Sequence, residues 1–296
     1  MSRIYDALQR AEVERKGSAT LEDERVAEEA MIPASDVFSP IEAASTPLSI
    51  ACNPWKASLD SLPTLANRGR GVEEFRSLRS SIYQLRQQQT LKTVLVSSGM
   101  PAEGKTFIAA NLAISLGRNN CRVLLIDGDL RRPSVHKLLG THNTRGLAEY
   151  LDGNATLTDI LQRNSEPLLV DADGPSPISS LSFIPGGQGG DRAPELISNH
   201  RFDELIATLS PHFDWIVIDS PPVLVVSDAA DLAHAADAVL LVARAAITPF
   251  NVVQRAQAAF SNSRILGLVL NAMKDAPRGG SYYYYDEIET SHKAPR

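Results

Sequence analysis

Cysteine is nearly absent from this chain. Cys52 and Cys121 are the only two in 296 residues, far apart and in neither a CxxC nor a Cys/His spacing. That excludes a disulfide framework and a thiolate zinc site, and it fits a reducing compartment. Long apolar runs are missing too: the longest, Ala238–Ala243, has the length of a buried strand and falls far short of the ~18–20 residues that span a bilayer. No block of lysine and arginine offsets the net charge of −6, so a sequence-independent grip on nucleic acid is not expected. Met1 to Glu12 lacks the apolar centre of a secretory signal. The expectation is a cytoplasmic protein that reaches the inner face of a membrane only through a partner.

What is present divides the chain into four parts. Ile4, Leu8 and Ala11 stand at helical spacing among charged neighbours and predict a short amphipathic docking helix over 1–16. Residues 17–70 turn acidic and then rich in Pro, Ser, Ala and Thr without a sustained period, which reads as a disordered linker. Signals become dense over 71–275. Glu73 to Arg86 predicts a helix with Phe75, Leu78, Ile82 and Leu85 on one face. Apolar runs at Thr93–Ser97, Arg122–Ile126, Leu181–Ile184, Trp215–Ile218, Ala238–Val242 and Ile265–Leu270 alternate with helical patterns. Strands apolar on both sides, separated by helices, predict an α/β fold: a mostly parallel sheet flanked by helices on both faces. The final part, 276–296, loses periodicity and carries the block Tyr282, Tyr283, Tyr284 and Tyr285.

Chemistry concentrates where strands end. Gly99-Met-Pro-Ala-Glu-Gly-Lys-Thr106 fits the phosphate-loop pattern GxxxxGK[ST] between an apolar run and a helix-favouring stretch. A strand feeding such a turn into a helix aims backbone N–H groups and the positive end of the helix dipole at one spot, which suits phosphates. Lys105 is then expected to reach the outer phosphates and Thr106 to ligate Mg2+. Two aspartates, Asp127 and Asp129, follow the strand at 122–126, and Asp219 follows the strand at 215–218. Ligands of parallel α/β sheets bind outside the carboxyl ends of the strands. There these carboxylates are candidates to hold Mg2+, with Asp127 and Asp219 as its ligands, or to orient and deprotonate an attacking hydroxyl.

The segments Ser97–Thr106, Ile126–Pro133 and Val217–Pro222 resemble the Walker A, A′ and B motifs of the bacterial tyrosine kinases that regulate capsule and exopolysaccharide synthesis, and the resemblance runs from about residue 71 to 285. It implies a P-loop NTPase fold that uses ATP and Mg2+. It further implies catalytic roles for Lys105, Asp127, Asp129 and Asp219, nucleotide contacts from Gly99, Pro101, Ala102, Glu103, Gly104, Lys105, Thr106 and Phe107, and autophosphorylation in trans of Tyr282 to Tyr285. Asn271 matches the position where fold relatives contact the adenine base. Glu73, Arg76 and Arg79 match the family's ExxRxxR helix, which is associated with ring-like homo-oligomers, and at three-residue spacing they lie near one helix face. The other implied partners are a separate membrane-embedded activator or chain-length regulator and a cognate tyrosine phosphatase.

The chain departs from the family at several points. Ala102 stands where glycine is common, the tyrosines form one compact block, and no membrane-spanning activator region is fused. Two other readings stay open: a switch ATPase of the kind that positions division septa and chromosomes, and a weakly catalytic scaffold of a membrane assembly. The switch ATPases usually carry a lysine just after the loop's first glycine, and here Met100 fills that position.

Overall fold

The apolar runs become strands with boundaries within two residues of those read from the sequence. The structure is a computed structural model that describes residues 50–58, 60–66, 68–118, 121–165 and 180–273. The expected docking helix 1–16, the expected linker up to residue 49 and the tyrosine tail 276–296 lie outside the described residues. In chain order the elements are β1 Ala51–Asn53, α1 Arg70–Gln88, β2 Thr93–Ser98, α2 Lys105–Gly117, β3 Val123–Asp127, α3 Val135–Leu139, α4 Leu147–Leu151, α5 Leu157–Ile160, β4 Gln162–Asn164, β5 Leu181–Ile184, α6 Ala193–Ile197, α7 Arg201–Leu209, β6 Trp215–Asp219, α8 Asp228–Leu232, β7 Ala238–Arg244, α9 Phe250–Ala259 and β8 Ile265–Asn271.

The described strands form one eight-stranded sheet in the order β1-β4-β5-β3-β6-β2-β7-β8. Every neighbouring pair is parallel except β4 and β5. Period-two alternation distributes the side chains to two cores. Leu95, Leu124, Ile126, Ile216, Ile218 and Leu241 join the core built with α4, α6, α7 and α8. Val94, Val96, Leu125, Trp215, Val217 and Leu240 join the core built with α1, α2 and α3. By the same alternation Asp127 and Asp219, opposite each other in the β3–β6 register, point to the α2 side. This is the mostly parallel, two-sided α/β architecture of a P-loop NTPase.

α2 is buried around its whole circumference from Ile108 through Gly117, largely by apolar side chains, with Asn111 and Ser115 as its buried polar members. Its alanines let the helix approach the sheet closely. Truncating a core member such as Leu112 to Ala would cost about 2–5 kcal/mol. α1 lies outside α2 and buries Val72, Phe75 and Ile82.

The boundary expected at residue 70 is corrected by the structure. β1 pairs in parallel with β4, and Trp55, Leu62 and Leu65 are buried in the α2-side core. Trp55 meets Phe183 edge to face, with ring centroids 6.2 Å apart, and the Arg118 guanidinium at the end of α2 donates to the Thr64 carbonyl. The stretch 50–70 has no period, yet a few widely spaced apolar anchors are enough to tie it down.

Candidate nucleotide and phosphoryl-transfer site

The phosphate loop joins β2 to α2, and no side chain caps the N-terminus of that 13-residue helix. Its first N–H groups and the positive end of its dipole are therefore directed at the loop. Two glycines are demanded by geometry. Gly104 has φ +96°, and a Cβ there would lie 2.0 Å from the Asn271 amide nitrogen. A Cβ on Gly99 would press on Val252 of α9 at 2.9 Å. Ala102 sits in the left-handed region at φ +61°, where the family's more usual glycine avoids a strain of roughly 1–2 kcal/mol.

Beside the loop, the Lys105 ammonium stands 3.5 Å from Asp129 Oδ2. Asp129 Oδ1 accepts from the Arg132 N–H at 3.0 Å. Asp127 Oδ2 accepts from the N–H groups of Ser134 and Val135 at 2.9 and 3.0 Å, capping α3, and its Oδ1 accepts from the Asp129 N–H at 3.3 Å. The Ser134 hydroxyl donates to the Thr106 hydroxyl at 3.3 Å. Gly128, between the two aspartates, crosses the end of β6 so closely that a Cβ would lie 2.7 Å from the Asp219 carbonyl oxygen. The spacing Asp-Gly-Asp is thus a steric requirement of this crossing.

Asp219 is fully buried, and neither carboxylate oxygen has a partner in good hydrogen-bond geometry, although the Thr106 hydroxyl and the Ser220 N–H lie close enough to favour its charged form. Burial raises its pKa to about 7, against the pull of the Lys105 charge and the Thr106 hydroxyl. Burial, and then the charge of Asp219, also push Asp127 well above the usual carboxylate range, outweighing its backbone donors. A buried acceptor pair without well-placed donors is costly unless something positive arrives. Thr106, Asp127 and Asp219 therefore form a donor set suited to a hard cation. Among the described residues no group of three His, Cys, Asp or Glu side chains could hold a metal, so the cation would draw its remaining ligands from phosphates and water.

Phe107 and Asn271, singled out on separate grounds, come together. They line one groove of about 450 Å³ with Arg70, Glu74, Phe75 and Leu78, a volume in the range of small-ligand sites. The Asn271 amide donates to the Glu103 carbonyl at 3.0 Å, and its Oδ1 accepts from the Ala272 N–H at 2.8 Å, which leaves one N–H and one lone pair for a base edge.

The ExxRxxR residues differ in their partners within the chain. Glu73 and Arg76 form an exposed pair at 2.7 Å, whereas Arg79 donates to the Ser115 carbonyl of α2 at 2.7 Å. The tyrosines 282–285 lie outside the described residues. Sequence reasoning missed Arg131, whose guanidinium holds buried Asp228 at 2.8 Å and ties the A′ loop to α8. It also missed Arg244 and Thr248, which bond to the phosphate loop; their one signal was a position at the end of β7, a neighbour of β2.

Comparison with known proteins places this arrangement. The ParA family model, described as an NUBPL iron-transfer P-loop NTPase, matches residues 89–171. The chain is 31% identical over 217 residues to the putative tyrosine-protein kinase CapB of Staphylococcus aureus, covering 73% of this chain and 90% of that protein. It is 32% identical over 258 residues to the tyrosine-protein kinase wzc of Salmonella typhimurium, covering 81% of this chain but only 34% of that protein. Among solved structures, the kinase domain of the Escherichia coli tyrosine kinase ETK aligns with a TM-score of 0.61 at 31% identity, covering 72% of this chain and 80% of that one.

Proposed function

Because the chain belongs to the bacterial tyrosine-protein kinase family, we propose that it is an ATP-dependent protein-tyrosine autokinase that phosphorylates its own Tyr282–Tyr285 cluster. The observation that carries this reading is the Asp219 carboxylate, buried beside Lys105 and Thr106 with no hydrogen bond of good geometry. An ordinary surface turn has no use for such a group. A site that receives Mg2+ and a polyanion does.

In this reading the loop N–H groups and α2 bind the β- and γ-phosphates, and Lys105, freed from Asp129, neutralises charge that grows on the transferring phosphoryl group. Mg2+, held by Thr106, Asp127 and Asp219, would supply Lewis-acid stabilisation of the phosphate oxygens. The tyrosine oxygen attacks the γ-phosphorus, the bond from the γ-phosphorus to the β–γ bridging oxygen breaks, and ADP leaves. Asp129, which is not among the proposed Mg2+ ligands and is released when Lys105 turns to the phosphates, accepts the phenol proton. The groove at Phe107 and Asn271 receives the base.

Transfer in trans within a ring-like homo-oligomer is the reading favoured for Glu73 and Arg76, the two exposed members of the ExxRxxR set. Membership of the family supports a role in exopolysaccharide or capsule synthesis and export, under a membrane-embedded activator and a cognate phosphatase. No helix among the described residues is long and apolar enough to cross a membrane, so recruitment to the inner face of the plasma membrane would run through that activator.

The test is purified protein with γ-labelled ATP and Mg2+, alone and with candidate activator fragments. Label on tyrosine is expected, and replacing Tyr282 through Tyr285 with Phe should remove most of it while ATP binding persists. Mass spectrometry finding the phosphate mainly elsewhere would overturn the assignment of the acceptors. Absence of any tyrosine label would overturn the kinase reading.

A further inference from the structure

Glu103 places a carboxylate inside a loop built for phosphates, and that charge is buried with only 4% of its surface exposed. It is turned aside and tied at both oxygens. Oε2 accepts from the Met100 N–H at 2.7 Å, and Oε1 accepts from the Thr248 hydroxyl. The same hydroxyl accepts from the Arg244 N–H at 2.9 Å, and the Arg244 guanidinium donates to the Ala102 carbonyl at 3.2 Å. The β7–α9 connection is thus bonded to the phosphate loop at two successive residues.

Backbone strain collects in the same place. Among the described residues the non-glycine positions with positive φ are Ala102, Ala246 and Ala272. Ala102 is in the phosphate loop and Ala246 in the β7–α9 connection. Ala272 follows Asn271, which itself donates to the Glu103 carbonyl and whose own carbonyl accepts from the Ala245 N–H at 2.9 Å. Strained residues persist only where surroundings over-determine them. Ala102 released from its bonds would relax toward the right-handed region, where an alanine is more stable by roughly 1–2 kcal/mol, and the loop N–H groups would lose their common aim.

We propose that Thr248 and Arg244 are positioning residues for nucleotide binding: they hold Ala102 in its left-handed conformation and keep the Glu103 carboxylate away from the phosphates. The proposal rests on the phosphate-binding reading of this loop. Its particular content is that a connection three strands away from the A′ motif fixes the loop's shape, because this chain has alanine where glycine would hold that shape unaided.

The experiment is ATP binding measured by calorimetry on the full chain, well below the melting temperature, for wild type, Thr248→Val, Thr248→Ser and Ala102→Gly, and for Thr248→Val combined with Ala102→Gly. Valine matches threonine in shape and deletes the donor to a buried carboxylate, so Thr248→Val should weaken ATP binding on the order of tenfold. Serine restores the hydroxyl and should stay within about twofold. In the Ala102→Gly background the loss from Thr248→Val should shrink to roughly threefold, since glycine adopts positive φ without strain. Equal losses in the alanine and glycine backgrounds, or unaltered binding by Thr248→Val, would overturn the proposal while leaving the phosphate loop in place. Failure of the wild type itself to bind ATP would overturn both.

Discussion

The two edges of the central strands treat the same side chain in opposite ways. At the edge where β2, β6 and β7 begin, aspartates close the structure. Asp237 accepts from the N–H groups of Lys92 and Thr93 at 2.7 and 2.8 Å. Asp214 accepts from the Arg122 N–H at 2.7 Å and pairs with its guanidinium at 3.1 Å. Burial works to raise Asp214, but these Arg122 partners outweigh it and hold the group below the usual carboxylate range. At the edge where β3 and β6 end, Asp219 has no hydrogen bond of good geometry, and burial pushes it up to about 7. The first edge is electrostatically complete. The second is left unfinished, in a fold that has shown it can finish such a group, and the proposed cation and phosphates would complete it.

The largest effect expected from breaking this contrast comes at Lys105. Lys105→Met removes the cation of the unfinished edge, and labelling of tyrosine should fall by about 100-fold or more, while the free protein stays folded at the assay temperature with melting lowered only in part by the loss of the Asp129 pair. Melting that collapses together with labelling would mean that Lys105 is structural.

Asp219→Asn comes next and should move activity and stability in opposite directions. Labelling should fall on the order of 100-fold through loss of a cation ligand. The free protein should gain stability near neutral pH, because a buried unpaired charge is gone. The sign of the pH dependence follows from the raised pKa. Between the ordinary carboxylate range and about 7, the folded state binds more protons than the unfolded one, so wild-type stability should decline as pH rises through that window. Asp127 is shifted in the same direction and adds to the slope. Denaturant titrations at several pH values should show a shallower decline in Asp219→Asn, and an unchanged slope would remove Asp219 as its source.

Asp214→Asn tests the completed edge and should do the reverse: labelling unchanged, stability lower by about 1 kcal/mol, trimmed by solvent because the pair is partly exposed. With a lowered folded pKa, Asp214 contributes stability above the ordinary carboxylate range and loses it as pH falls through the folded value. The deficit of the variant should therefore close in acid. A deficit that persists there would point to packing instead.

The smallest effects concern α1. Arg79→Ala forfeits a hydrogen bond to α2 and should cost about 1 kcal/mol without depending on protein concentration. Glu73→Ala with Arg76→Ala removes an exposed pair worth about 0.2–0.5 kcal/mol to the monomer. If these two residues act between subunits, that double variant should label slowly when dilute and recover when concentrated. Light scattering alongside a labelling time course checks both.

Local patterns carried most of this into view from the sequence. β2, β3, β5, β6, β7 and β8 are apolar runs with turn residues at their ends, so they were legible one at a time, as was the Gly99–Thr106 loop with its flanking strand and helix. β1 and β4 were not, because three-residue edge strands such as Gln162-Arg163-Asn164 have no room for a period and no need to be apolar on both faces. Residues 50–70 were misjudged because composition averages over anchors as sparse as Trp55 and Leu62. The candidate carboxylates Asp127, Asp129 and Asp219 were readable from their place after strands, but their unequal hydrogen bonding was not, since it depends on how the Gly128 crossing seals the end of β6. Thr248 and Arg244 were illegible for a related reason. Their contacts exist only because β7 lies next to β2, and strand order is a property of the whole chain.

Asn271 ends β8 with its amide on the carbonyl of Glu103, so the C-terminal segment departs from a point fastened to the phosphate loop. Fully extended backbone between Asn271 and Tyr282 reaches roughly 40 Å at most. Covalent length alone therefore caps the separation between that loop and Tyr282 at the same distance. If acceptors are exchanged between chains, as the proposed function has it, each loop must lie within that cap of the partner's point of departure, which bounds how far apart two cooperating sites can be.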